Sequence, residues 1–178
     1  YKKIAMREME RTGVPASIKL AQGILESDAG KSKLARSANN HFGIKCGSQW
    51  NGEEYFKEDD DYNDQGKLIK SCFRQYRNAD ASFVAHSEFL RAPAKSFRYG
   101  FLFRLDPVDY RSWAEGLRRS GYATNPNYPK LLITLIERYN LNQYDQSSVV
   151  IKEPEGVLVS YTHIRAHETV INHDCALL

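Results

Sequence analysis

The sequence predicts a mainly α fold of the α+β class, with one small inserted β-hairpin. Apolar residues recur at spacings of three and four through most of the first 145 residues, which is the period of helices that bury one face. Residues 50–76 break this period, because an acidic run and a glycine-containing turn signal precede a segment that alternates like a strand. A length of 178 residues is enough for one ordinary domain with its own core.

Glycine, proline and apolar spacing mark the predicted helices. Gly13 ends the first, and Pro15 suits the first turn of the second. Asn and Gly residues at 39–45 predict a tight turn. His86 and Trp113 fall on apolar helix faces and are predicted core residues. The helical segments are residues 1–11, 15–29, 82–90, 109–120 and 129–139, with a short polar helix or turn at 31–38.

The predicted hairpin carries a cluster of acids. Glu-Asp-Asp-Asp at 58–61 precedes a turn signal at 62–66, and strand-like alternation follows over 68–76. We therefore expect the acidic cluster at or near the tip of the hairpin.

The net charge of +3 is mild and uneven, because residues 148–178 carry more acids than bases. A mildly basic body suits a polyanionic partner such as cell wall or nucleic acid, although a solvated surface with a slight lysine excess fits as well. The charge falls short of the basic stripe of a dedicated nucleic-acid binder, so no nucleic-acid partner is expected. No apolar run reaches membrane-spanning length.

Three cysteines exclude a disulfide-rich scaffold and fit no zinc spacing. Cys46 and Cys72 could pair in an oxidising compartment, and two separate buried thiols are equally compatible with the sequence. The third, Cys175, lies in the region after residue 147, where core-like periodicity ends.

Residues 1–147 are predicted to form the domain and residues 148–178 a tail. From about residue 159 the tail resembles translated sequencing-adapter read-through, so we expect this part not to be native. His163, His167 and Glu168 do not follow the order of the helical zinc motif. We therefore expect neither a metal nor another cofactor.

Glu26 stands out as a carboxylate near the end of a mostly apolar helix. Ile18, Ala21 and Leu25 mark the buried face, and Gln22 lies one turn before Glu26 beside that face. The helix dipole and partial burial both raise the pKa of such an acid, which suits a general acid near neutral pH. From periodicity alone, a solvated surface glutamate remains the alternative.

Cleavage of a bond between two sugars typically uses two carboxylates. Glu26 on its helix and the acidic hairpin across a cleft would supply such a pair on opposed walls. Their separation would decide between retention and inversion of the anomeric configuration.

Four short motifs occur in order along residues 1–145. They are residues 15–30 with Ile-Leu-Glu-Ser at 24–27, Asn-Asn-His-Phe-Gly-Ile-Lys at 39–45, Phe-Arg-Gln-Tyr at 73–76, and Gly-Tyr-Ala-Thr at 121–124 followed by Tyr128. Together they resemble the glycoside hydrolase family 73 glucosaminidases, peptidoglycan hydrolases related to the flagellar muralytic domain. The second motif and the Asp-Asp-Asp hairpin look most like versions from Bacteroidetes-type bacteria.

This resemblance implies a lysozyme-like helical lobe with a small β-lobe and assigns Glu26 as general acid. The family's second carboxylate is typically a Glu before a Tyr on the β-lobe, and this sequence departs from that pattern with Asp60-Asp61-Tyr62. Asp61 is the best match to this second carboxylate, Asp60 is the next and Glu58 is the third. A solvated acidic turn is the alternative, and in some members the substrate's own N-acetyl group would make this carboxylate auxiliary.

The resemblance also implies that Tyr122 lies in the cleft, where its hydroxyl would orient a sugar or stabilise developing charge. A core or capping tyrosine is the alternative. The candidate substrate-binding residues are Tyr128, Asn40, Trp50 and Gln22. For Asn40 a turn-fixing role, and for Trp50 simple packing, are the competing interpretations.

The implied activity is that of a secreted or periplasmic endo-β-N-acetylglucosaminidase. It would act as a monomer on peptidoglycan glycan strands, at the β-1,4 bond between N-acetylglucosamine and N-acetylmuramic acid. The alternatives are a muramidase-type cut at the other glycosidic bond and a non-catalytic cell-wall-binding module.

Overall fold

A computed structural model describes residues 1–62, 66 and 68–146, apart from the side chains of residues 59–62 and 68. This part of the chain is mainly α with one small hairpin, which confirms the predicted fold class. The helices are α1 (Lys2–Thr12), α2 (Ala16–Glu26), α3 (Lys33–Ala38), α4 (Ala79–Arg91), α5 (Ser96–Tyr99), α6 (Tyr110–Arg119), α7 (Tyr128–Arg138) and α8 (Gln143–Gln146), with 3-10 turns at Pro93–Lys95 and Gly100–Arg104. Within the described residues, no helix is long and apolar enough to cross a membrane.

Helix α2 lies at the centre of the helical lobe. It packs against α1, α6, α7 and α8. Ile18 on α2, Trp113 on α6 and Leu132 on α7 are all fully buried. His86 on α4 is fully buried too, so the two predicted core residues His86 and Trp113 are confirmed. Burial of this apolar surface is the main force that holds α2 in place.

Helix α2 ends at Glu26, three residues earlier than the sequence predicts. The Ser27 hydroxyl donates to the carbonyl of Gly23 and accepts from the backbone N–H of Gly30 at 2.7 Å. Asp28 and Ala29 then take left-handed backbone conformations, with φ of 50° and 53°. These side-chain bonds compete with the helical ladder and stop it before the glycine. Glu26 is therefore the last residue of the helix.

The hairpin forms a small second lobe from β1 (Glu54–Tyr62) and β2 (Leu68–Arg74). The strands are antiparallel, with Glu54 opposite Arg74 and an irregularity in register between Glu58 and Tyr62. The acidic run at 58–61 lies toward the end of β1, near the tip of the hairpin as predicted. Residues 44–46 run along the other side of β2, because Ile44 and Cys46 each bond to its backbone at 3.0 Å.

A disulfide joins Cys46 to Cys72, with their Cα atoms 5.5 Å apart. Of the two alternatives that the sequence left open, the structure therefore shows the bridge. It ties residues 44–46 to β2 beside a small satellite core of Leu34, Ala38 and Phe73. A core of this size contributes little burial energy, so we expect the cross-link to add noticeably to the lobe's stability.

We expect the Cys46→Ser, Cys72→Ser double variant to lose about 3 kcal/mol of unfolding free energy, because the bridge restricts the unfolded chain over a loop of this length. Urea unfolding followed by circular dichroism measures this loss. A reductant should lower the midpoint of the parent and leave that of the double variant unchanged. Equal midpoints for parent and variant without reductant would contradict the prediction.

A buried lysine links α1, α2 and α4. The Lys19 ammonium is fully buried, donates to the Phe83 carbonyl at 2.9 Å and to the Ser87 hydroxyl, and lies 3.3 Å from His86 Nδ1. Burial lowers the pKa of Lys19 to about 7, and the nearby Glu8 carboxylate offsets this only in part. The sequence predicted no such cluster, because a lysine at this position resembles an ordinary surface lysine.

The predicted tail, residues 148–178, lies outside the described residues. Its adapter-like origin and the boundary at residue 147 stay predictions.

Candidate active site

An open cavity of about 910 Å³ lies between the helical lobe and the hairpin lobe. The end of α2 contributes Glu26, and the loop before α7 contributes Tyr122 on the same side. Phe73 on β2 lines the cavity from the hairpin lobe, and the turn around Gly43 lines it as well. The motifs that the sequence places far apart in the chain therefore meet at one cleft.

The Glu26 side chain is exposed to solvent through this cavity, so a substrate in the cavity could reach it. The surrounding walls still remove much of its hydration, and this burial raises the pKa of Glu26 above its ordinary value. A hydrogen bond from Tyr128 lowers the pKa and offsets the effect in part. The net result keeps the proton on Glu26 to higher pH than on a free glutamate, which is what a general acid needs.

Tyr128 is the direct partner of Glu26. Its hydroxyl donates to Glu26 Oε1 at 2.8 Å and accepts from Gln22 Nε2 at 2.9 Å. Tyr128 is 4% exposed, and burial raises the pKa of its phenol, so the group keeps its proton. As the first residue of α7, Tyr128 is fixed against α2 by the packing of those two helices.

Tyr122 lies beside this pair. Its ring centroid is 5.9 Å from that of Tyr128, and its ring also packs against Phe89, Tyr99 and His86. Burial and the charge of Glu26 both raise the pKa of Tyr122, which keeps its phenol neutral. Tyr122 also lines the cavity, so the predicted position of this tyrosine in the cleft agrees with the structure, and its contact with a sugar stays a prediction.

The loop that carries Tyr122 is held by Arg98. Its guanidinium donates to the carbonyls of Ser120 at 3.1 Å and Gly121 at 2.7 Å. Gly121 has a φ of 72°, a conformation that favours glycine, and this turn directs the chain from α6 into the cavity wall.

The other predicted substrate contacts do not line the cavity. Gln22 and Asn40 are buried, at 0% and 1% exposure, so neither can touch a sugar in this structure. Asn40 instead fixes the turn, since its amide donates to the carbonyls of Ile44 and Arg74 at 2.9 and 2.8 Å. Trp50 lies outside the cavity lining with Arg74 over its ring, and its role as a sugar platform stays a prediction.

Glu26 is the sole carboxylate among the cavity-lining residues that the structure describes. Asp60 and Asp61 belong to β1, and their side chains lie outside the description. Glu58, the third candidate, is exposed on β1 and does not line the cavity. The choice of second carboxylate therefore stays a prediction.

Sequence reasoning missed the basic character of the cavity. Lys33, Lys45, Lys57 and Arg98 all line it. Lys45 and Lys57 lie over the ring of Phe73, at 5.9 and 5.2 Å from its centroid. These residues come from four separate segments, so no local pattern in the sequence could have joined them.

Metal-ligand residue types come together at one place in the described part of the chain, where Glu54 lies beside Cys46 and Cys72. The two sulfur atoms are bonded to each other, so neither is a thiolate that could bind a metal.

Comparison with known proteins places this chain in a family. Residues 2–141 match the glucosaminidase family, described as mannosyl-glycoprotein endo-beta-N-acetylglucosaminidase. The exo-glucosaminidase LytG of Bacillus subtilis is 33% identical over 144 residues, 80% of this chain and 50% of LytG. The peptidoglycan hydrolase FlgJ of Pseudomonas aeruginosa is 33% identical over 134 residues, 71% of this chain and 32% of FlgJ. The chain thus spans half or less of these relatives.

Solved structures give the same result. The catalytic domain of the autolysin Auto from Listeria monocytogenes superposes with a TM-score of 0.71 at 30% identity, over 81% of this chain and 82% of that one. The glycoside hydrolase domain of FlgJ from Salmonella typhimurium gives a TM-score of 0.62 at 27% identity, over 82% and 87% of the two chains. With the motifs, the cleft and the family match in agreement, the chain belongs to the glucosaminidase family of glycoside hydrolases.

Proposed function

We propose that this domain hydrolyses peptidoglycan glycan strands as an endo-β-N-acetylglucosaminidase. It cuts the β-1,4 bond between N-acetylglucosamine and N-acetylmuramic acid. The observation that carries the proposal is Glu26, an acid with a raised pKa that opens into the cleft of a glucosaminidase-family chain. Relatives named as peptidoglycan hydrolases support the choice of substrate.

In this proposal Glu26 protonates the glycosidic oxygen as the bond to the anomeric carbon breaks. The positive charge that develops on the sugar is stabilised by a carboxylate on β1, Asp61 or Asp60, or by the substrate's own N-acetyl group. Water then adds its hydroxyl to the anomeric carbon, and one carboxylate of the enzyme takes up the remaining proton of the water. Tyr122 donates a hydrogen bond to the sugar beside Glu26.

The site of action that we propose is the periplasm or the cell exterior, where peptidoglycan is accessible. The Cys46–Cys72 bridge supports this, since disulfides persist in oxidising compartments.

Product analysis of digested cell wall tests the function. We expect mass spectrometry to find N-acetylglucosamine at every new reducing end, because the proposed cut leaves that sugar with a free anomeric carbon. N-acetylmuramic acid at the new ends would instead indicate the muramidase-type cut. Binding to walls without release of any fragment would favour the non-catalytic module.

The same digest distinguishes endo from exo cleavage, which matters because LytG is named an exo-glucosaminidase. Endo cleavage shortens long strands early in the reaction and gives fragments of many lengths. Release of one small product while long strands persist would contradict the endo proposal.

A further inference from the structure

Gln22 occupies an unusual place beside the acid. It precedes Glu26 by one helical turn on α2, so both side chains emerge on the same side of the helix. Its side chain is 0% exposed, and its amide nitrogen donates to the Tyr128 hydroxyl at 2.9 Å. The Tyr128 hydroxyl lies between the two side chains and donates to Glu26 Oε1 at 2.8 Å. Gln22 is thus linked to Glu26 by two hydrogen bonds through one intervening residue, Tyr128.

Counting donors and acceptors fixes the direction of this chain of bonds. A tyrosine hydroxyl has one proton to donate, and a glutamine amide has two. Because Gln22 donates to the hydroxyl oxygen, the single proton of Tyr128 remains for Glu26 Oε1. If the Gln22 amide were turned around, its oxygen would take that proton, and the Tyr128 hydroxyl could only accept a hydrogen bond from Glu26.

We propose that Gln22 is a positioning residue that, through Tyr128, places the acidic proton of Glu26 on Oε2. An oxygen that accepts a hydrogen bond from Tyr128 is the carbonyl oxygen of the protonated acid, so the proton resides on the other one. In the described part of the chain, Oε2 makes no hydrogen bond to protein. The proton therefore stays available to the substrate oxygen instead of being bound by Tyr128.

This inference rests on the proposed function and predicts a specific kinetic change. Replacing Gln22 by methionine keeps the length of the side chain and removes the donor. The Tyr128 hydroxyl is then free to accept the proton of Glu26, which withholds it from the substrate. We expect kcat to fall about 3- to 10-fold, the value of one ordinary hydrogen bond, with KM within twofold because Gln22 does not touch substrate.

The pH profile separates this role from loss of packing. The bond from Tyr128 lowers the pKa of Glu26, so weakening it should move the alkaline limb of kcat to higher pH while the plateau falls. Rates on soluble, uncross-linked glycan strands at a series of pH values measure both. The matched control is Ile18→Val, a fully buried residue of the same helix, which should lower the melting temperature and leave the limb in place.

A double-mutant cycle tests the route through Tyr128. Adding Gln22→Met to Tyr128→Phe should change kcat and the alkaline limb no further, because the hydroxyl that Gln22 acts on is gone. A full additional effect in that background would overturn the inference. If Gln22→Met folds poorly, Gln22→Glu keeps the shape and takes the Tyr128 proton once it ionises, so its kcat should fall as the pH rises. Parent-like kcat across pH in that variant would also overturn it.

The two hypotheses fail differently. An inactive Glu26→Gln with a parent-like Gln22→Met would overturn the inference and leave the proposed function intact. N-acetylmuramic acid at the new reducing ends would overturn the proposed bond specificity and leave the Gln22 measurements valid.

Discussion

Replacing Glu26 by glutamine is expected to reduce the rate of glycan cleavage about 10²- to 10⁴-fold, which is the usual contribution of a general acid. Glutamine keeps the shape of the side chain and the bond to Tyr128, but it has no proton of suitable acidity to give to the leaving oxygen. Reducing-end release from purified glycan strands measures the loss. The parent should lose activity on the alkaline side as Glu26 loses its proton. Because burial raises the pKa of Glu26, this loss should occur at a higher pH than for an ordinary glutamate.

The control for this substitution is Glu10→Gln, the same chemical change at an exposed position on α1. Glu10→Gln should cleave at the parent rate, and both variants should melt within a few degrees of the parent. A Glu26→Gln protein that retains more than a third of the parent rate would remove Glu26 from the mechanism.

Replacing Lys19 by methionine is expected to remove a pH dependence from the stability of the domain. Burial lowers the pKa of Lys19 to about 7 in the folded protein, against about 10.4 for an unfolded lysine. Between these values the unfolded chain binds more protons, so the unfolding free energy of the parent rises with pH. The limiting slope is about 1.4 kcal/mol per pH unit, which amounts to a few kcal/mol over the whole interval. Below pH 7 both states are protonated and this slope vanishes.

Urea unfolding between pH 6 and pH 9.5 measures the slope. The matched control is Lys3→Met, which removes an exposed lysine from α1 and should keep the slope of the parent. Equal slopes for the parent and Lys19→Met would show that Lys19 titrates normally in the fold. The comparison uses the slope alone, because removing the ammonium also leaves the Phe83 carbonyl and the Ser87 hydroxyl without this donor.

The helical period and the change of pattern at residue 50 were enough to predict the fold class, the hairpin and the buried positions of His86 and Trp113. These features depend on local alternation, which a sequence displays directly. The end of α2 was predicted too late, because the bonds of the Ser27 side chain stop the helix before Gly30. Such side-chain competition is weakly marked in a sequence.

The site was predictable only in part. Glu26 and Gln22 show their one-turn spacing in the sequence, but Tyr128, which joins them, lies more than 100 residues away. The sequence analysis predicted that Gln22 binds substrate, whereas in the structure Gln22 is fully buried and bonded to Tyr128. Lys19 gave no signal at all, since its partners Phe83 and Ser87 come from a distant helix.

The two walls of the cleft are held by different forces. The wall that carries Glu26 belongs to a large apolar core. The wall that carries Phe73 combines a three-residue satellite core, the Asn40 amide and one disulfide with the neighbouring Ile44, which is buried in the large core. A mild reductant acts on the second wall without touching the first. Reduction should therefore loosen the wall opposite the acid while Glu26 keeps its place on a folded helical lobe.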